Sequence, residues 1–114
     1  MKGDNVESDK YFVRKLLQAS LAGYDRYAAM VADAVTGWEK ERLFSTDVVL
    51  IVMGLAEASS FPTLPVKVTI NEYVEIAKFF GTQKSRSFVN GILDRLIQQM
   101  VNEGQIVKEG KGLM

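Results

Sequence analysis

Lys84, Arg86 and Phe88 stand close together at the opening of a helical pattern, and their types suit recognition chemistry. A helix N-terminus offers unpaired N–H groups and partial positive charge, a setting that favours a phosphate, and two cationic side chains reinforce it. An aromatic ring beside it that reaches solvent can stack a nucleobase, worth about 1–3 kcal/mol per base. At about 100° per residue, the apolar stripe of this helix centres near Leu93 and Leu96, which leaves Phe88 at its edge, partly exposed. The same residues admit a structural reading: Phe88 in the core, Lys84 and Arg86 as solvated charges, and Gly91 letting a neighbouring helix approach.

Other chemistry is excluded by what is missing. The 114 residues contain no histidine and no cysteine, which removes the commonest general base, the commonest metal ligand, thiolate nucleophiles and disulfides. The expectation is a non-catalytic chain with no metal, no cofactor and no small-molecule substrate. Fourteen basic residues balance fourteen acidic ones, so bulk electrostatic capture of nucleic acid is not expected and any RNA contact must be local. No apolar run approaches the roughly 20 residues that cross a bilayer, and the opening MKGDNVESDK lacks the apolar centre of a signal peptide. A cytoplasmic location without membrane contact follows as the expectation.

The elements that must position these residues read as helices throughout. A first helix over residues 9–22 gathers Phe12, Leu16, Leu17, Ala19 and Leu21, with Gly23 as its end. A second over 24–35 gathers Tyr24, Tyr27, Val31, Ala34 and Val35 and stops by Gly37. The run from Val48 to Ala58 is apolar nearly all round and predicts a buried central helix, with Ser45, Thr46 or Asp47 accepting hydrogen bonds at its start. The stretch VVLIVM would also suit an interior strand, but no other segment alternates convincingly to pair with it. Pro62 and Pro65 bracket a break at 61–64.

Thr69 followed by Glu72 matches a capping box and predicts a fourth helix over 69–80, closed by Gly81. Ser85 or Ser87 then caps a fifth, with Val89, Ile92, Leu93, Leu96, Ile97 and Met100 on one face. The fold class expected is all-α, a compact five-helix bundle of one domain. Residues 1–7 form a flexible lead, 8–103 the helical domain, and 104–114, with three glycines, a frayed or extended tail. On the fourth helix Asn71, Glu75 and Lys78 share the polar face, and Phe79 falls on that side. An outward Phe79 suits a protein partner, a cover for further chain, or an isolated exposed apolar residue.

Several ordered patches resemble the bacterial transcription antitermination family NusB. Trp38, Arg42 and Leu43 followed by Asp47 resemble its W-x-x-x-R-L and the Asp opening the central helix, and Glu57 stands where that helix carries its acidic residue. Pro65, Lys67, Val68, Ile70, Asn71, Glu72, Glu75, Ala77, Lys78, Phe80 and Gly81 resemble P-x-K-V-x-I-N-E-x-x-E-x-A-K-x-F-G, the most specific motif. Ser85, Phe88, Val89, Asn90, Gly91, Leu93 and Asp94 resemble S-x-x-F-V-N-G-x-L-D. The patches span roughly residues 8–100. The family's arginine-rich N-terminal helices have no counterpart here, and Val52 and Ala56 replace its usual Arg and Tyr.

The resemblance implies a NusB-like fold and a non-catalytic adaptor that binds boxA RNA together with the ribosomal protein NusE, in the RNA polymerase antitermination complex. It places Phe88 and Arg86 on the RNA, with Lys84 beside them where the family often has an acidic residue. Glu57, Asn71, Glu72, Glu75 and Phe79 then form the surface for the protein partner. Trp38 and Arg42 read as structural, the indole covering a helix end and the guanidinium pairing with a carbonyl or carboxylate. A similar helical module also resembles the RNA-binding region of a ribosomal RNA cytosine methyltransferase. A third alternative is a helical fragment that self-associates through its own faces.

Overall fold

The computed structural model describes residues 6–35, 46–80 and 82–113. Among them are four α-helices and no strand: α1 (Val6–Ala34), α2 (Thr46–Ser60), α3 (Val66–Phe80) and α4 (Gln83–Asn102), followed by a 3-10 turn at Gly110–Leu113. The expected roles of Gly37, Trp38, Arg42, Leu43, Ser45 and Gly81 lie outside the described residues. The all-helical class holds; the count of five does not.

α2 is the buried centre that its apolar sequence predicts, and it packs against the other three helices. Val48, Leu50, Ile51, Val52, Leu55, Ala56 and Ala58 are all in the core. A helix satisfies its own backbone groups, so such a segment can be apolar on every side without needing a sheet partner.

The fifth helix disappears because α1 runs unbroken through Gly23. One glycine inside a helix costs only about 1 kcal/mol relative to alanine, too little to stop it. Here the missing side chain is used: a Cβ on Gly23 would stand 2.5 Å from Cε2 of Tyr27, one turn later. The Tyr27 ring lies back over that bare stretch and is 4% exposed. The unbroken helix also changes which residues point inward. Leu16, Tyr27, Val31 and Ala34 are buried, whereas Leu17, Leu21 and Tyr24, expected in the core, face out. Two separate helices could each turn a broad face to the core; one continuous helix offers a single seam.

Two predicted caps are displaced. α3 starts directly after Pro65, whose carbonyl accepts from the N–H groups of Val68 and Thr69 at 3.1 and 3.3 Å. Thr69 is therefore inside the helix, buried against α2, and Thr69 and Glu72 form no capping box. The N-cap of α4 is Thr82, whose side chain accepts from the Ser85 N–H at 3.3 Å, rather than Ser85 or Ser87. The close helix approach suspected at Gly91 occurs elsewhere: a Cβ there meets nothing within 4 Å, whereas one on Gly54 would stand 2.8 Å from the Leu93 methyls, where α2 meets α4.

The C-terminal segment, expected to be frayed or extended, turns back onto the bundle. Gly104 takes a left-handed φ of 76° after α4, and the N–H groups of Gln105 and Ile106 both donate to the Met100 carbonyl. Ile106 is buried. Lys108 Nζ donates to the carbonyls of Ala58 and Phe61 at 2.9 and 3.0 Å, and the Glu109 N–H donates to Pro62 at 3.0 Å. The segment is thereby strapped across the α2–α3 corner. It supplies partners for carbonyls that the end of α2 leaves open.

Candidate functional site

The first turns of α4 and the middle of α3 enclose a shallow cleft of about 420 Å³, lined by Asn71, Val74, Gln83, Arg86, Ser87 and Asn90. Arg86 is half-buried along one wall and Lys84 is exposed at the helix opening. Thr82 satisfies one N–H of the first turn, that of Ser85. The remaining N–H dipoles, the guanidinium and the amides of Asn71, Gln83 and Asn90 make the cleft rich in donors. Such a surface can hold a phosphate or the polar edge of a base.

Gln83, Ser87 and Asn90 were missed by sequence reasoning, although their spacing along α4 places them on the side of Arg86. The signal was there, but three uncharged polar residues on a helix read as ordinary solvated surface.

Phe88 does not lie in this cleft. Its ring is 7% exposed and belongs to the apolar core, which corrects the expectation of a partly exposed aromatic at the stripe's edge. The buried face of α4 already begins at Ser85 and continues through Phe88, Val89, Ile92 and Leu93, so the stripe is wider than its centre suggests. Phe88 anchors the turns that carry Lys84 and Arg86.

Of the residues assigned to a protein partner, Asn71 and Glu75 are exposed on the outer side of α3, and Glu72 is exposed at the edge of the helix, where its carboxylate reaches back towards Glu57. Phe79 is 83% exposed, as the helical spacing predicts, and Phe80 beside it is exposed too. Glu75 accepts from Lys78 Nζ at 2.7 Å, an exposed pair that contributes little stability. Asn71 belongs both to this face and to the cleft, so α3 and the start of α4 present one continuous surface.

Glu57 is the exception. It is 1% exposed, sealed between α2 and α3, and cannot be part of a surface patch. The Tyr73 hydroxyl donates to its Oε1 at a long 3.4 Å, and neither Oε2 nor Thr69 Oγ1 has a hydrogen-bond partner. Burial is the main reason its pKa rises from 4.5 to about 7; the Glu72 charge adds to the rise, while Thr69 and Tyr73 oppose it. Burial, with the Glu57 charge, also raises the Tyr73 phenol. Val52 and Ala56 are buried on the same helix.

Among the described residues, no cluster of His, Cys, Asp and Glu could hold a metal ion, and no helix is long and apolar enough to cross a membrane.

The model of the NusB family matches residues 2–98. The transcription antitermination protein NusB of Chloroherpeton thalassium is 34% identical over 105 residues, covering 92% of this chain and 50% of that protein. That of Salinibacter ruber is 30% identical over 97% of this chain and 69% of its own length, and that of Alkaliphilus oremlandii 28% identical over 90% and 76%. The chain thus spans half the length of the first of these relatives and about seven-tenths or more of the other two. No solved structure gives a significant match. Antitermination proteins of the family are non-catalytic factors. With the match running from before α1 to the last turns of α4, the chain belongs to the NusB family.

Proposed function

We propose that the chain acts in transcription antitermination as a cytoplasmic, non-catalytic adaptor that binds boxA RNA together with NusE. Its family and the names of its relatives support the antitermination role. The observation that carries the division of labour is the place of Asn71, which lines the donor-rich cleft with Arg86 and also lies on the outer face of α3. RNA phosphates and base edges meet Arg86, Lys84 and the cleft amides. NusE meets Asn71, Glu72, Glu75 and Phe79. A chain of zero net charge lacks the electrostatic attraction for tight RNA binding alone, so affinity comes from a composite surface.

The test is a mobility-shift titration of boxA RNA with the chain and NusE. The parent chain shifts the RNA only when NusE is present. Combined Lys84→Ala and Arg86→Ala substitutions weaken the shift about tenfold or more. They also flatten the plot of log affinity against log salt, by about 0.7 for each phosphate of the single strand that no longer meets a cation. Unchanged affinity and salt slope would remove the α4 opening from the RNA site.

A further inference from the structure

Glu57, sealed between α2 and α3, is not cut off from the surface. Around the axis of α3, residues 69, 72 and 73 fall within about 100° of one another. Thr69 and Tyr73 hold the inner part of that arc, 0% and 3% exposed, and Glu72 holds its outer edge. All three face Glu57: the Tyr73 hydroxyl donates to Oε1 at 3.4 Å, and Thr69 and Glu72 stand close enough to act on its charge without giving Oε2 a hydrogen bond. The two glutamates thus form a carboxyl pair, one member fixed in the interior and the other able to turn at the rim.

Two ionised carboxylates cannot bond each other, because neither donates. With one proton between them the pair becomes a carboxyl donating to a carboxylate, a short charge-assisted bond. The buried group then has a partner beyond the long Tyr73 contact. No cation competes for this role. Lys108 of the tail acts on Glu57 only at longer range, its ammonium being committed to the carbonyls of Ala58 and Phe61, and no charged group of α1 or α4 acts on Glu57. Once the proton leaves, like charges repel, and Glu72 is the member with solvent to turn into. On the outer side of α3, Glu75 is already paired with Lys78, whereas Glu72 has no cation among the described residues.

We propose that Glu57 is a positioning residue for the partner surface: a proton shared with Glu72 holds the Glu72 carboxylate back against the α2–α3 seam, and loss of that proton releases it to a cationic side chain of the protein partner. The inference rests on the reading of Glu72 as a partner contact. Proton and partner compete for one carboxylate, so affinity rises as pH climbs through about 7, where Glu57 titrates.

Calorimetric titration of NusE into the full chain at about pH 6 and about pH 8, with carboxyl-carbon NMR of the chain alone, tests this. The parent should bind about fivefold tighter at the higher pH, the scale of one exposed ion pair. Glu57→Gln, whose amide donates to Glu72 at every pH, should bind weakly at both. Glu57→Met, which has nothing to hold Glu72, should bind tightly at both. Glu72→Gln should bind weakly throughout and should lower the Glu57 midpoint from about 7. Circular dichroism should be unchanged in each, and titration of NusE itself is common to all and cancels in the ratio of variant to parent. A Glu57 midpoint untouched by Glu72→Gln overturns the shared proton. A midpoint that moves, with parent and Glu57→Gln changing affinity equally between the two pH values, overturns the coupling to the partner. Equal affinity of parent and Glu72→Gln at the higher pH overturns it by another route: Glu72 then lies off the contact surface, a failure of the underlying reading that leaves the titration of the chain alone as it was.

Discussion

Tyr73 donates its hydroxyl to Glu57 Oε1 across the α2–α3 seam, at 3.4 Å, in a place from which solvent is almost wholly excluded. The bond is longer than a strong O–H···O contact, and the second carboxylate oxygen has no partner. An ionised carboxylate so poorly compensated costs several kcal/mol. A proton on Glu57 removes most of that cost, which is why burial is the largest cause of its raised pKa.

The consequence is a stability that falls as pH rises. In the unfolded chain Glu57 titrates near 4.5 and in the fold near 7, so within that interval the folded state holds more protons than the unfolded one. The contribution is fully present below about 4.5 and is lost as pH climbs through about 7, an effect on the order of 3 kcal/mol. The groups facing Glu57 are Thr69, Glu72 and Tyr73 from α3, with Lys108 of the tail acting at longer range. Urea unfolding at pH 5 and pH 8 should show the loss in the parent chain. Glu57→Gln, which keeps the shape without the charge, should be flat across the window and more stable than the parent at pH 8. An equal slope in the Gln variant would assign the effect to other groups.

The strap formed by the C-terminal segment should contribute measurably through one side chain. Burial lowers the Lys108 pKa, yet its ammonium donates to two carbonyls at the α2 terminus. Lys108→Met keeps the aliphatic stem and removes both bonds, a loss of about 2 kcal/mol for a charged donor in a half-buried site. Amide exchange at Glu109, whose N–H donates to Pro62, should accelerate in the same variant. Unchanged exchange there would mean that Ile106 holds the segment without help.

Helix type and the central place of α2 were legible because both follow from local pattern: an apolar run with polar residues ahead of it has few ways to be buried. The outward Phe79 was legible for the same reason. Boundaries were not. Thr69 and Glu72 have the spacing of a capping box, but Pro65 starts α3 earlier and commits Thr69 to the core. Gly23 is a helix stop by propensity and becomes a helix interior through the Tyr27 ring, an interaction no propensity contains. Burial of Glu57 was equally out of reach, and for Phe88 the sequence left a core ring and a partly exposed one both open. A carboxylate is expected at the surface unless two helices close over it, and a ring at the edge of a stripe is buried or exposed according to what packs beside it.

That reading of Gly23 makes a prediction that runs against helix propensity. Gly23→Ala should gain about 1 kcal/mol from helix formation, but the new methyl collides with a ring that is packed and unable to swing freely. Overpacking of this kind costs about 1–3 kcal/mol, so the net change is a loss. In a Tyr27→Leu background the obstruction is gone and the same Gly23→Ala change should stabilise. Chemical denaturation of the four proteins in this cycle gives the sign directly. Destabilisation of equal size in both backgrounds would show that Tyr27 is not the cause.

Phe88 and Arg86 should separate stability from binding. Phe88→Ala removes a core ring and should cost about 3–5 kcal/mol of stability, so weak RNA binding by that variant says nothing about contact. Phe88→Leu is the informative change, since it keeps an apolar group in the core and deletes the aromatic face. If Phe88 acts only as an anchor, Phe88→Leu binds boxA RNA with NusE as the parent does, at some cost in melting temperature. If the ring stacked a base, the same variant would lose about 1–3 kcal/mol of binding, roughly 5- to 150-fold. Arg86→Ala should show the opposite pattern, a melting temperature close to the parent's and an affinity that drops with a flatter salt dependence. A Phe88→Leu variant that folds normally and fails to bind would return the aromatic ring to the RNA site and require this end of α4 to open when RNA arrives.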